Sequence, residues 1–165
     1  MYSSKLIVRI SGVLLPVGVF VIGLADDLFA LPPLPRLAGQ VLVAMAVWSQ
    51  GVQIGAIDLP FHLLGGPSGA IPLPDGLSLI ATVIWLVGIT NAINWLDGLD
   101  GLAAGVSGIA AVGLLSVSYS LNQPAPGLLA AALAGSCLGF LRHNFNPARI
   151  FMGDGGSYFL GFALA

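Results

Sequence analysis

The chain has 165 residues, 57% of them hydrophobic and only 7% charged, with a formal net charge of −2. An ordinary water-soluble domain carries about 25% charged residues, so a surface drawn from this composition faces hydrocarbon rather than water. Five scattered Lys and Arg residues exclude a nucleic-acid-binding face, and the single Cys137, read as a packing residue, excludes an internal disulfide and a thiolate-rich metal site.

A helix crosses a bilayer in about 20 residues. Taken in chain order, such stretches are predicted over residues 6–25, which contain Arg9 and Pro16, then over 37–57, 77–96 and 102–121. A shorter run follows over 127–141, and a last one starts near Ser157. The expected fold is therefore all-α, a polytopic membrane helix bundle of five spans plus the start of a sixth, in one integral membrane domain over 1–165. Pro and Gly mark the connections, as in LPPLP at 31–35 and NQPAP at 122–126. The longest, 58–76, has no helical period and is expected to lie outside the membrane. No cleavage pattern follows the first apolar run, so it is read as a retained helix.

Parity of crossings then groups the acids. Two passages separate Asp26 and Asp27 from the segment with Asn94, Asp97 and Asp100, and two more lead to Asp154. All of these fall on one side, together with Arg36, Arg142, His143 and Arg149. By the positive-inside tendency the arginines make this side cytoplasmic, although Lys5 and Arg9 argue the other way. His62 and His143 fall on opposite sides and cannot share a zinc ion.

Three constellations carry the chemistry. In GLADDL, two adjacent carboxylates must be solvated or share a cation, so Asp26 and Asp27 suit a divalent metal or a general base; solvated loop residues are the plainer reading. In NAINWLDGLDGLAAG, polar residues recur every third position at Asn91, Asn94, Asp97 and Asp100, which on a helix make one drifting face. Acids at a membrane boundary are costly and usually face a cavity; the plainer reading is that Asn94 or Asp97 caps the next span. In NPARIFMGDGGS, Gly153, Gly155 and Gly156 surround Asp154 ahead of Ser157. Backbone N–H groups there suit an anion, with Asp154 holding Mg²⁺ against it; the alternative is a flexible turn with an aspartate cap. With no Glu and no nucleophilic Cys, chemistry rests on Asp, Asn, Ser, His and a bound Mg²⁺, which takes one or two carboxylates plus water and phosphate oxygens. A transporter, the rival class, would spread its ionisable groups to the midplane and to both sides.

The strings GLADDL, RLAGQ, NAINWLDGLDGLAAG and NPARIFMGDGGS resemble, in order, those of the polyprenyl-phosphate N-acetylhexosamine-1-phosphate transferases. The resemblance implies attack of a lipid phosphate on the sugar-linked phosphate of a UDP-sugar, releasing UMP. It implies that Asp26 or Asp27 is a base for the lipid phosphate and that Asp154, with Asp97, binds Mg²⁺. It also implies that Asn94, Asp97 and Asp100 form a nucleotide-sugar motif, and that Asn144 and Phe151 contact and stack on uracil. Arg36 stands where the family often has Lys and suits a phosphate; Gly155 and Ser157 are expected at the substrate. Ala30 replaces a Lys usual in the pentapeptide branch, which favours an N-acetylglucosamine donor over N-acetylmuramoyl-pentapeptide. Expected partners are a UDP-N-acetylhexosamine, polyprenyl phosphate and the lipid bilayer, with a homodimer allowed and no nucleic acid; the expected location is the inner membrane. Missing flanking segments make the chain read as a fragment of a longer transferase.

Overall fold

A computed structural model describes residues 2–58 and 69–165, with side chains described over 15–57 and 69–165. His62 lies outside the described residues, as do the side chains of Lys5 and Arg9. Among the described residues six helices follow in order: α1 (Tyr2–Phe29), α2 (Pro33–Ser49), α3 (Asp75–Leu96), α4 (Leu102–Ser120), α5 (Pro124–Asn144) and α6 (Gly153–Leu164). Between α2 and α3, β1 (Ala56–Asp58) pairs antiparallel with β2 (Ala70–Pro72).

The helices match the predicted apolar stretches, with shifts of boundary. Helix α1 runs through Pro16 without interruption. Helix α2 stops at Ser49, earlier than expected, because Gly51 takes a left-handed φ of 84° and turns the chain toward the hairpin. Two short strands therefore stand in a connection whose sequence shows no periodicity, and six residues are too few to produce one. Among the described residues, α3, α4 and α5 are long and apolar enough to cross a membrane by length and composition. At 22, 19 and 21 residues they measure about 33, 28 and 32 Å. The passages expected of α1 and α2 stay part of the functional proposal.

Apolar residues such as Val19, Leu86, Ile93 and Leu160 are buried in the bundle, yet many large apolar side chains face outward, as a hydrocarbon surrounding allows. Ile84, Ile109 and Leu128 are 66%, 77% and 75% exposed. Small and hydroxylated residues, including Ser78, Thr82, Thr90, Ser107, Ala103 and Ala111, are buried instead, because without a hydrophobic drive between helices close backbone approach has to supply the packing. Thr82 and Thr90 satisfy their hydroxyls on the carbonyls one turn back, Ser78 and Leu86, at 2.7 Å each. Cys137 is buried between α4 and α5 near Gly108, a packing role as expected.

Helix α6 is wedged between α1 and α3 at two glycines. A Cβ on Gly161 would lie 2.7 Å from Thr90 Cα, and one on Gly23 would lie 2.3 Å from the Asp154 carbonyl oxygen. These contacts are backbone against backbone, so they set the position of α6 and its first turn, which carries Asp154.

Candidate functional site

The chain turns sharply after α1, with Ala30 at a φ of 48°. Asp26 closes this turn: its carbonyl accepts the Ala30 N–H at 2.8 Å and its Oδ1 accepts the Leu31 N–H at 2.8 Å. Pro32 and Pro33 then start α2, which places Arg36 within its first turns. The Arg36 guanidinium donates to Asp26 Oδ2, and the same Nη1 lies 3.6 Å from Asp154 Oδ2. Asp26 is buried, whereas the Arg36 side chain keeps 30% of its surface exposed.

Helix α6 starts at Gly153, which adopts a φ of 70°. The first N–H groups of a helix have no intrahelical acceptor, and negative charge is stabilised there. A carboxylate from another segment fills that role here. The N–H groups of Asp154 and Gly155 donate to Asp27 Oδ1 and Oδ2 at 2.8 and 3.0 Å. The anion held by this glycine-rich turn is thus the chain's own Asp27, which corrects the expectation that its N–H groups, including that of Gly155, are free for a substrate phosphate. Glycine is needed at 153 for space as well as φ, because a Cβ would fall 2.8 Å from Asp27 Oδ2.

The third string arrives from α3. Asn94 Nδ2 donates to Asp154 Oδ1 at 2.7 Å and to Ser157 Oγ at 3.0 Å. Ser157 is fully buried, so it does not face a substrate as expected; it holds Asn94 from below. Asp97 caps the C-terminus of α3, and its pKa is pushed up to about 6, first by burial and then by the charges of Asp154 and Asp27. Four carboxylates (Asp26, Asp27, Asp97 and Asp154) converge with a single guanidinium, and they leave uncompensated negative charge at Asp97. Among the described residues no three Asp, His or Cys side chains form a ready metal cage. Asp97 and Asp154 nonetheless fit a hard cation that needs only one or two carboxylates.

The four polar positions from 91 to 100 do not share one helical face. Gly98 and Gly101, the latter at a φ of 75°, end the helix after Leu96. Asn91 donates to Gln40 Oε1 at 2.6 Å, Asn94 and Asp97 meet α6, and Asp100 lies in the turn. Neither Asn94 nor Asp97 caps α4, whose N-cap is Gly101. Asp100 Oδ2 accepts from Asn146 Nδ2 at 3.1 Å and the Ala148 N–H at 3.0 Å, which ties down the 145–152 connection. Asn144, expected at uracil, is 3% exposed. Its Oδ1 accepts the Gly101 N–H at 3.1 Å and its Nδ2 donates to the Ile150 carbonyl at 2.9 Å, so its amide braces the same connection. Phe151, 75% exposed on that connection, is free to stack on a flat ring. Gln40, the last residue of RLAGQ, and Tyr158 are buried near Arg36 and Asp154, and neither has a role expected from sequence. An uncharged amide such as Gln40 inside an apolar span was the available signal.

Fold and site together define a helical membrane protein in which Asp26, Asp27, Asp97, Asp100 and Asp154 gather at one end of apolar helices. The chain belongs to glycosyl transferase family 4, whose sequence pattern matches residues 10–165. It is 43% identical over 152 residues to a Mycobacterium leprae decaprenyl-phosphate N-acetylglucosaminephosphotransferase, covering 87% of this chain and 37% of that protein. A Mycolicibacterium smegmatis protein of the same name is 39% identical over 154 residues, 88% of this chain and 37% of the relative. A Chlamydia muridarum phospho-N-acetylmuramoyl-pentapeptide-transferase is 54% identical over 111 residues, 66% of this chain and 30% of the relative. The chain thus spans a little over a third of the length of the two mycobacterial relatives.

Proposed function

We propose that this chain carries the phosphotransfer centre of an enzyme that moves N-acetylglucosamine 1-phosphate from UDP-N-acetylglucosamine to undecaprenyl or another polyprenyl phosphate. The reaction takes place at the cytoplasmic face of the inner membrane, with five spans below the site. The observation that carries the reading is the meeting of Asp154, Asn94, Asp97 and Arg36 at one end of apolar helices. A water-soluble nucleotide sugar and a lipid-borne phosphate can both reach that place. A conduction path is disfavoured, because it would need ionisable groups along the bundle. The relatives' names support a polyprenyl-phosphate acceptor and an N-acetylglucosamine group.

In the reaction an oxygen of the lipid phosphate bonds to the phosphorus that bears the sugar. The bond from that phosphorus to the bridging oxygen breaks, and UMP leaves with the bridging oxygen and its electron pair. Arg36, exposed on one side, pairs with an incoming phosphate and offsets charge among the acids. Phe151 stacks on uracil from the connection that Asp100 and Asn144 hold in place. Asp154 and Asp97 would hold Mg²⁺, with Asn94 orienting Asp154. When bound, that ion neutralises diphosphate oxygens and stabilises charge on the transferred group.

A second reading, transfer of phospho-N-acetylmuramoyl-pentapeptide, is favoured by the 54% identity to the chlamydial relative. Ala30 and the longer mycobacterial matches favour N-acetylglucosamine. Radiolabelled UDP-N-acetylglucosamine and UDP-N-acetylmuramoyl-pentapeptide, each offered with undecaprenyl phosphate to the full chain in the presence or absence of Mg²⁺, separate the two. Label entering lipid from the first donor only, and only with Mg²⁺, is expected. Transfer that survives Asp154→Asn unchanged would count against the assignment of the site.

A further inference from the structure

We propose that Asp27 is a positioning residue: its carboxylate clasps the N-terminus of α6 and so fixes where Asp154 stands. This rests on the phosphotransfer reading above and departs from the expectation that either member of the pair serves as a base.

Both Asp27 oxygens accept backbone N–H groups, from Asp154 at 2.8 Å and Gly155 at 3.0 Å. The surroundings are shaped for this contact. Gly23, one helical turn before Asp27 and on the same face of α1, has no side chain where a Cβ would lie 2.3 Å from the Asp154 carbonyl oxygen. Gly153 has none where a Cβ would lie 2.8 Å from Asp27 Oδ2. Helix α1 therefore approaches α6 through one glycine and grips it through the carboxylate four residues later. Asp26 acts on the other side in the same manner: it accepts the Arg36 guanidinium and the Leu31 N–H, which sets Arg36 3.6 Å from Asp154 Oδ2. The pair thus holds the two groups that address phosphate, one aspartate for each.

The chemistry does not require a base from the pair. A phosphate monoester loses its second proton at a pKa of about 6, so the attacking lipid phosphate is already largely dianionic at neutral pH.

The test uses the full chain in detergent, with Asp27→Asn and, independently, Gly153→Ala, which crowds Asp27 while leaving its carboxylate in place. Amide hydrogen exchange is read at Asp154 and Gly155, and the acid limb of the kcat/KM pH profile is read in the transfer assay. For both variants, exchange about tenfold faster or more at those two amides is expected, on the scale of a lost charge-assisted hydrogen bond. A lowered kcat with the acid limb retained is expected alongside it. Unchanged exchange, or an acid limb abolished in Asp27→Asn, would overturn the proposal. If Asp154→Asn transfers sugar phosphate as fast as the unsubstituted chain, the phosphotransfer reading fails, and the exchange measurement alone decides the clasp. If Asp27→Asn does not insert, Gly153→Ala carries both readouts.

Discussion

Gly23→Ala adds one methyl group, and the structure states where it would go. The new Cβ would lie 2.3 Å from the Asp154 carbonyl oxygen, 2.5 Å from its carbonyl carbon and 2.7 Å from Gly155 Cα. Ordinary contact begins near 3.4 Å, so the first distance falls about 1.1 Å short. All three atoms are backbone, and no side chain can rotate away. Helix α6 must move by about that amount relative to α1, and its first turn carries Asp154. Overpacking of this kind costs about 1–3 kcal/mol, and displacing a reacting group by about 1 Å costs on the order of 100-fold in rate. We expect Gly23→Ala to insert normally, to unfold at lower temperature in detergent and to lose on the order of 100-fold in transfer rate. Gly18→Ala on the same helix is the control, because its Cβ would meet only Val43 Cγ2 at an ordinary 3.7 Å. A Gly23→Ala protein with unsubstituted rate and stability would refute the claim that α1 positions the site by backbone contact.

Other perturbations separate bracing from chemistry. Phe151→Ala should leave stability within about 0.5 kcal/mol, as befits an exposed side chain, and should raise KM for the nucleotide sugar; an unchanged KM would remove Phe151 from the binding surface. Asn144→Ala should instead destabilise by about 1–3 kcal/mol, since it strands the Gly101 N–H and the Ile150 carbonyl, and thermal unfolding reads the loss. Arg36→Ala leaves the buried Asp26 carboxylate without its guanidinium and should cost about 3 kcal/mol, whereas Arg36→Lys should recover most of the stability and less of the rate; equal recovery of both would argue against a forked phosphate contact. Asp97 has a pKa raised from 3.8 to about 6, so its contribution to stability is present below about pH 4 and is lost as pH rises through about 6. Metal-free Asp97→Asn should therefore be more stable than the unsubstituted chain at pH 7.5, with the difference shrinking toward pH 4.5 in parallel unfolding experiments.

The sequence by itself determined the class of fold and pointed to the acids that meet at the site. Apolar runs of span length with few charges admit little besides hydrocarbon-facing helices, and polar residues placed at their ends are too costly there to be incidental. That Asp26, Asp27, Asn94, Asp97 and Asp154 belong together was readable from the order of the strings. Their division of labour was not, because it depends on which oxygen meets which donor across helices far apart in sequence. Only the tertiary structure decided that Asp27 fills the glycine turn expected to bind phosphate, or that Asn144 and Ser157 are buried braces while Phe151 stands free. It also decided that Gln40 and Tyr158 underlie the centre. The physical reason is that a helix N-terminus offers the same unpaired N–H groups to any anion within reach, and tertiary packing alone determines whether that anion comes from a substrate or from the protein itself.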